Sequence, residues 1–215
     1  MLTLGLDEVG RGCWAGPLVA AAVIMPSKPL WEDSPPKVAP TLVGLRDSKK
    51  LSRLQRTKLD REIRSQAKAY GVGWVTPGEI DSLGLTDAVR LAMLRAIAEL
   101  HKTCTTYDEI IIDGTYNFLA ECESSALSHA AVRERSFHRV RTMVGADGKV
   151  PAVSAASIVA KVARDNYMGA IAAQYPQYGF DRHVGYGTLA HRMALQQYGV
   201  TDIHRRSFAP VKIYI

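Results

Sequence analysis

The sequence predicts an α/β fold, and three observations carry that reading. Short apolar runs near the N-terminus alternate with the period of strands; a stretch beginning at Leu85 repeats apolar residues at helical spacing; and Ile110-Ile111-Ile112, set between Glu109 and Asp113-Gly114, reads as a buried strand. Leu2, Leu4 and Leu6 alternate with Thr3 and Gly5, which predicts a half-buried strand that ends at Asp7-Glu8 and feeds the turn Val9-Gly10-Arg11-Gly12. Strict alternation places Asp7 on the Thr3–Gly5 face and Glu8 on the leucine face. Both can then serve one site only where the strand bends or stops between them. Leu18 to Met25 reads as a second strand returning from that turn, a hairpin-like pair with the carboxylates near its mouth.

The prolines Pro26, Pro29, Pro35, Pro36 and Pro40 are half of the chain's ten, so this stretch is expected to be a surface loop without regular structure. Asp47-Ser48-Lys49-Lys50-Leu51 leads into a helix whose start is marked by Ser52 and Gln55, the spacing of a capping box, with Leu59 and Ile63 on its apolar stripe. Ala69 to Val75 is a third expected strand. Val89, Ala92, Met93, Ala96, Ile97 and Leu100 recur at helical spacing after Leu85 and predict an amphipathic helix on a sheet. The isoleucine run gives a fourth strand, buried on both faces. His138 to Val144 gives a fifth, ending at Gly145-Ala146-Asp147-Gly148. Ser154 to Met168 reads as a helix with Ile158, Val159 and Val162 toward the core and a polar stripe of Ser154, Ser157, Lys161 and Asp165. The remaining segment holds Tyr178-Gly179-Phe180, Gly185-Tyr186-Gly187-Thr188 and His204-Arg205-Arg206-Ser207-Phe208.

A chain of 215 residues with 47% hydrophobic content can bury a substantial core, and one domain spanning 1–215 suffices, with about 170–215 as a basic C-terminal extension. Its 27 lysines and arginines face 21 acidic residues, and the excess is uneven. Residues 133–215 hold 12 basic and five acidic side chains, whereas residues 1–132 hold 15 and 16. A basic segment beside acidic site residues suits a polyanionic substrate. No apolar run is long enough to cross a bilayer, and no leader pattern opens the sequence, so a membrane role is not expected and a cytoplasmic location is. Cys13, Cys104 and Cys122 lack paired spacing, which argues against a disulfide framework or a zinc site and suits a reducing compartment.

Asp7 and Glu8 side by side are costly to desolvate without a cation or strong donors, which favours a divalent metal; a surface acidic pair on an exposed turn is the competing account. Gly10 and Gly12 can adopt positive φ and bring backbone close to a ligand, while Arg11 offers a planar fork to phosphate. Asp113 and Asp147 stand at other strand or loop ends, as in open α/β sheets that assemble a site from distant sequence. Four oxygen ligands without histidine or cysteine suit Mg²⁺ or Mn²⁺, and a pair of such ions can hold a phosphodiester for in-line hydrolysis that leaves a 3′-hydroxyl and a 5′-phosphate. Lys161 is a candidate phosphate contact. Tyr186 between glycines offers a platform for a sugar or base, or covers a local core.

Taken in order, Asp7-Glu8-Val9-Gly10-Arg11-Gly12, Ala15-Gly16-Pro17, Asp47-Ser48-Lys49-Lys50-Leu51, Ile112-Asp113-Gly114, the segment Ser154 to Val162 with Arg164-Asp165, Gly185-Tyr186-Gly187-Thr188 and His204 to Phe208 resemble ribonuclease HII, the type 2 ribonucleases H. The resemblance runs from residue 5 to about residue 212. It implies a ribonuclease H-like mixed five-stranded sheet flanked by helices, with a helical C-terminal region. It also implies metal-dependent cleavage of RNA in RNA–DNA hybrids and on the 5′ side of ribonucleotides embedded in duplex DNA. The family's metal carboxylates fall on Asp7, Glu8, Asp113 and Asp147. Its 2′-hydroxyl-reading loop falls on Gly10, Arg11 and Gly12, its junction-reading tyrosine on Tyr186, and basic positions suited to phosphates on Lys49 and Lys161. Two departures stand out: Val184 occupies a position where bacterial members usually have lysine, and Gly145-Ala146-Asp147 replaces a usual Lys-Gly-Asp after a longer connection from Asp113. A same-fold nuclease acting on structured DNA, and a non-catalytic hybrid-binding module, are the competing readings. A monomer is expected, and no residues signal recruitment by a sliding clamp.

Overall fold

The computed structural model describes residues 1–26, 51–120 and 139–215. Lys49, most of the proline-rich stretch and the expected start of the fifth strand at His138 lie outside them. β1 (Thr3–Val9) pairs antiparallel with β2 (Leu18–Ile24), which pairs antiparallel with β3 (Ala69–Val75). On its other side β1 runs parallel to β4 (Glu109–Asp113), and β4 runs parallel to β5 (Val140–Met143). The resulting order β3-β2-β1-β4-β5 is a mixed five-stranded sheet, as the resemblance implied.

Alternation along the strands distributes the core onto both faces. Leu4, Leu6, Leu18, Ala20, Ala22, Ile110 and Ile112 pack with the apolar stripe of α3 (Leu85–His101), whose predicted residues Val89, Ala92, Met93, Ala96, Ile97 and Leu100 are all buried. Val19, Ala21 and Val23 face the other way, against Leu59 and Ile63 of α1 (Arg53–Gln66) and against Ala155, Ile158, Val159 and Val162 of α4 (Pro151–Ala172). Ser52 caps α1 through the expected reciprocal bonds with Gln55.

Three boundaries depart from the sequence reading. β1 runs one residue past Asp7-Glu8: Val9, expected in the turn, is still a strand residue opposite Val19 of β2, and the strand neither bends nor stops between the two carboxylates. α4 starts at Pro151 and continues to Ala172, because proline at the first helical position is preorganised for a helix and nothing breaks the chain before Pro176. A short helix, α2 (Pro77–Leu83), was not anticipated, although Thr76, Pro77 and Glu79 write a capping box with proline at its first turn.

Beyond α4 the chain forms α5 (Phe180–His183), α6 (Leu189–Tyr198) and α7 (Ala209–Lys212). This region has its own small core, in which Tyr178, Phe180, Ala194, Leu195 and Ile203 enclose Ala15 from the loop after β1 and Met168 from α4. The C-terminal segment is also latched to α2, where the Asp81 carboxylate accepts hydrogen bonds from the Arg206 and Ser207 amides, both at 2.8 Å.

Candidate active site

The register of β1 explains where the chain leaves room for chemistry. β4 accompanies β1 only as far as the pair Leu6–Ile112, whereas β2 stays paired with it through Val9. Past Leu6 the two parallel strands part, and the side chains at their carboxyl ends border a cleft of about 310 Å³ lined by Asp7, Glu8, Arg56, Asp113, Ser157, Lys161 and Tyr186, among others. Such gaps at the carboxyl ends of strands are where open α/β sheets bind ligands. Asp7 and Glu8 share this cleft although the strand is unbroken between them. Glu8 sits next to the last residue of β1, where the sheet ends.

The carboxylates are crowded. Burial, then the Glu8 charge and, more weakly, Asp113 push the Asp7 carboxyl up to about 7, against the pull of hydrogen bonds from Ser157 and the Glu8 amide. Burial likewise raises Glu8, and the Arg11 guanidinium at 3.2 Å offsets part of the effect. Glu8 Oε2 is buried and accepts no hydrogen bond. Asp113 Oδ1 accepts the Ala146 amide at 2.7 Å, tying the end of β4 to the turn Ala146–Gly148. Asp147 lies on that turn and is buried, but it does not line the cleft with the other three; its carbonyl accepts the Ser154 hydroxyl, which fastens the turn to α4. Among the described residues no three His, Cys, Asp or Glu side chains form a ready-made metal cage.

α4 supplies the basic wall. Ser157 and Lys161 line the cleft, and Lys161 Nζ is paired to Asp165 at 2.8 Å, with Arg56 of α1 approaching the same carboxylate at 3.9 Å. The polar stripe expected on this helix therefore divides: Ser154 is buried against the Asp147 turn, while Ser157, Lys161 and Asp165 border or support the cleft.

Tyr186 stands at the rim, 42% exposed. Its flanking glycines serve close packing against the protein. A Cβ on Gly187 would lie 2.2 Å from the Trp14 ring, and one on Gly185, at φ +88°, would lie 2.2 Å from the Ala15 carbonyl oxygen. The Gly185 carbonyl in turn accepts the Trp14 amide at 2.8 Å. In the glycine-arginine-glycine loop, Gly10 has φ +95°, whereas Gly12 stays outside the left-handed region and faces open space. Only Gly10 thus meets the expectation of positive φ. Arg11 extends outward beside Phe118.

Sequence reading passed over Arg56, and it quoted Arg164 and Arg205 only as members of motifs, without a role. Ser157 was legible as part of a polar stripe, but Arg56 sits in an ordinary charged helix, and nothing in one-dimensional spacing marks an arginine that will be buried.

The fold defines the class: a mixed five-stranded sheet with helices packed on it is shared with solved ribonucleases H of type 2. The solved ribonuclease H2 from Pyrococcus horikoshii OT3 superposes on the chain with a TM-score of 0.75 at 27% identity, covering 100% of this chain and 97% of that one. RNase HII in the PCNA:RNase HII complex from Archaeoglobus fulgidus gives 0.69 at 27% identity over 95% and 94%. The family model for ribonuclease HII matches residues 4–211. A ribonuclease HII from Dichelobacter nodosus is 44% identical across 96% of this chain and 94% of its own length. The chain belongs to the ribonuclease HII family and is an endoribonuclease.

Proposed function

We propose that this endoribonuclease is metal-dependent, hydrolyses the RNA strand of RNA–DNA hybrids and cuts on the 5′ side of ribonucleotides embedded in duplex DNA, leaving a 3′-hydroxyl and a 5′-phosphate. The observation that supports this most directly is the convergence of Asp7, Glu8 and Asp113 on one cleft, with one carboxyl held near 7 and a buried Glu8 oxygen that accepts no hydrogen bond. Excess buried negative charge with spare acceptor capacity calls for a cation. An all-oxygen donor set suits Mg²⁺ or Mn²⁺, which are commonly held by one or two carboxylates completed by substrate phosphates, so a finished protein cage is not required. Asp7, Glu8 and Asp113 would hold the ions, with Asp147, carried on the turn bonded to Asp113, as the fourth carboxylate. Two ions bound with the substrate would lower the pKa of the attacking water and stabilise the leaving 3′ oxygen.

The chain's own groups then bind and orient. Ser157 donates to Asp7 and fixes its direction. Lys161, and Lys49 from outside the described residues, attract the backbone phosphates. Gly10, Arg11 and Gly12 bring main chain against the ribose 2′-hydroxyl, the one group that separates RNA from DNA at a given nucleotide. Tyr186 stacks at the junction between ribose and deoxyribose. We place the enzyme in the cytoplasm on its three cysteines without paired spacing.

The test is a labelled DNA duplex carrying one internal ribonucleotide, incubated with Mg²⁺ or Mn²⁺ and, separately, with chelator. Incision 5′ to the ribonucleotide is expected with metal only, and the all-deoxy duplex of the same sequence should stay whole. Cutting that ignores the 2′-hydroxyl, or no cutting of either duplex, would overturn the reading.

A further inference from the structure

Two arginines are wholly buried, Arg164 on α4 and Arg205 in the segment before α7, each 0% exposed. Burying a guanidinium is expensive unless its donors are matched. Among the described residues their hydrogen bonds all go to main-chain carbonyl oxygens. Arg164 donates to Pro17 at 2.8 Å, Ala15 at 3.0 Å and Val184 at 2.9 Å; Arg205 donates to Gly16 through two nitrogens at 3.1 and 3.0 Å and to Arg11 at 3.0 Å. These carbonyls belong to the loop after β1 and to the loop that carries Tyr186. Both charges are therefore spent on shaping backbone.

The surroundings show how completely they do so. A Cβ on Gly10 would lie 2.5 Å from Arg164 Nε, so the first glycine of the glycine-arginine-glycine loop leaves the room this guanidinium fills. Val184 is the one non-glycine residue of positive φ among the described residues, at +45°. A β-branched residue in that region is strained and persists only where its surroundings over-determine it. Its carbonyl is held by Arg164, and its amide donates to Phe180.

We propose that Arg164 and Arg205 are positioning residues for ribose selectivity: they join the residue 10–17 loop and the residue 184–187 loop into one rigid reader of the 2′-hydroxyl and the adjoining sugar. The proposal rests on the function proposed above and names what gives that site its discrimination. Lysine in either place keeps the charge but gathers its three donors on one nitrogen, which cannot occupy the separate positions from which Nε, Nη1 and Nη2 reach these carbonyls.

The experiment compares wild type with Arg205→Lys and Arg164→Lys, measuring affinity in chelator for a duplex with one embedded ribonucleotide and for the all-deoxy duplex of the same sequence. The expected result is that affinity for the deoxy duplex changes by less than about twofold while the ribose preference of wild type falls by about tenfold or to none. A structural defect alone would lower both affinities together. Retention of the wild-type preference in folded variants would overturn the proposal. Should either variant fail to fold, hydrogen exchange on wild type decides. The amides of Trp14, Gly16 and Arg205, bonded to Gly185, Ile203 and Trp14 carbonyls, are expected to exchange as one unit with protection near that of β1. Rapid, independent exchange there would refute it. A wild-type enzyme that cuts no ribonucleotide-containing duplex would sink the proposed function, whereas a wild type that cuts, with variants as selective as itself, would sink only this inference.

Discussion

Asp113 performs two tasks that one substitution separates. Its Oδ1 accepts the Ala146 amide and so holds the turn bearing Asp147, while its charge adds to that of Asp7 and Glu8. Asn keeps an acceptor in the same place and removes the charge. Asp113→Asn is expected to reduce cutting of a ribonucleotide-containing duplex to background while duplex binding in chelator changes by less than about threefold. Near-normal cutting would show that the ions are held elsewhere. At this scale the three carboxylates that line the cleft were readable because carboxylates close to glycine at strand ends are unusual company for apolar runs. The exact placement was not readable: alternation assigned Asp7 and Glu8 to opposite faces, and only the parting of β4 from β1 after Leu6 lets both reach one cleft.

Among the elements, the loop carrying Tyr186 depends on a chain of neutral imidazoles. The Thr201 amide donates to His204 Nδ1, which puts the His204 proton on Nε2; that proton points to His191 Nε2 at 3.0 Å, leaving His191 Nδ1 to donate to the Tyr186 carbonyl at 3.0 Å. Burial first, then neighbouring positive or protonatable groups, hold both imidazoles down at about 4. His183, stacked on His191 at 4.7 Å, is that neighbour for His191; for His204 it is His191 first and then Arg206. Because the unfolded histidines take up protons near 6.5, this contribution to stability is full above that pH and is lost as pH falls from about 6.5 toward 4. The buried Asp7 works in the opposite sense, favouring the folded state as pH falls below about 7. Imidazole resonances isolate the effect: those of His191 and His204 are expected to stay in the neutral form down to about pH 5, and titration near 6.5 would count against the chain. The long elements were legible because α3 repeats its apolar residues over many turns. α2 was missed because seven residues are too few for periodicity, and α4 was drawn short because its small residues carry a weak apolar signal.

For the molecule as a whole, the positive excess of residues 133–215 overstates the charge available to a polyanion. Arg164 and Arg205 are internal, and the Asp165 carboxylate offsets part of the Lys161 charge. Arg182, Arg192, Arg206 and Lys212 remain exposed on the C-terminal lobe. If four such groups meet phosphates, affinity for duplex is expected to fall on the order of a hundredfold between about 50 and 200 mM salt, and substitution of any one by Ala should flatten the slope by about one. A slope indifferent to all four would remove this lobe from the contact surface. Composition disclosed the asymmetry of charge; only folding shows which of those charges face inward.

Arg205 reaches back across 189 residues to Gly16 and 194 to Arg11. During synthesis the sheet can therefore assemble long before the guanidinium emerges from the ribosome, and a nascent or prematurely ended chain would own the acidic cleft without the means to tell one sugar from the other. If Arg205 positions the reader as proposed, discrimination is the last property this polypeptide acquires.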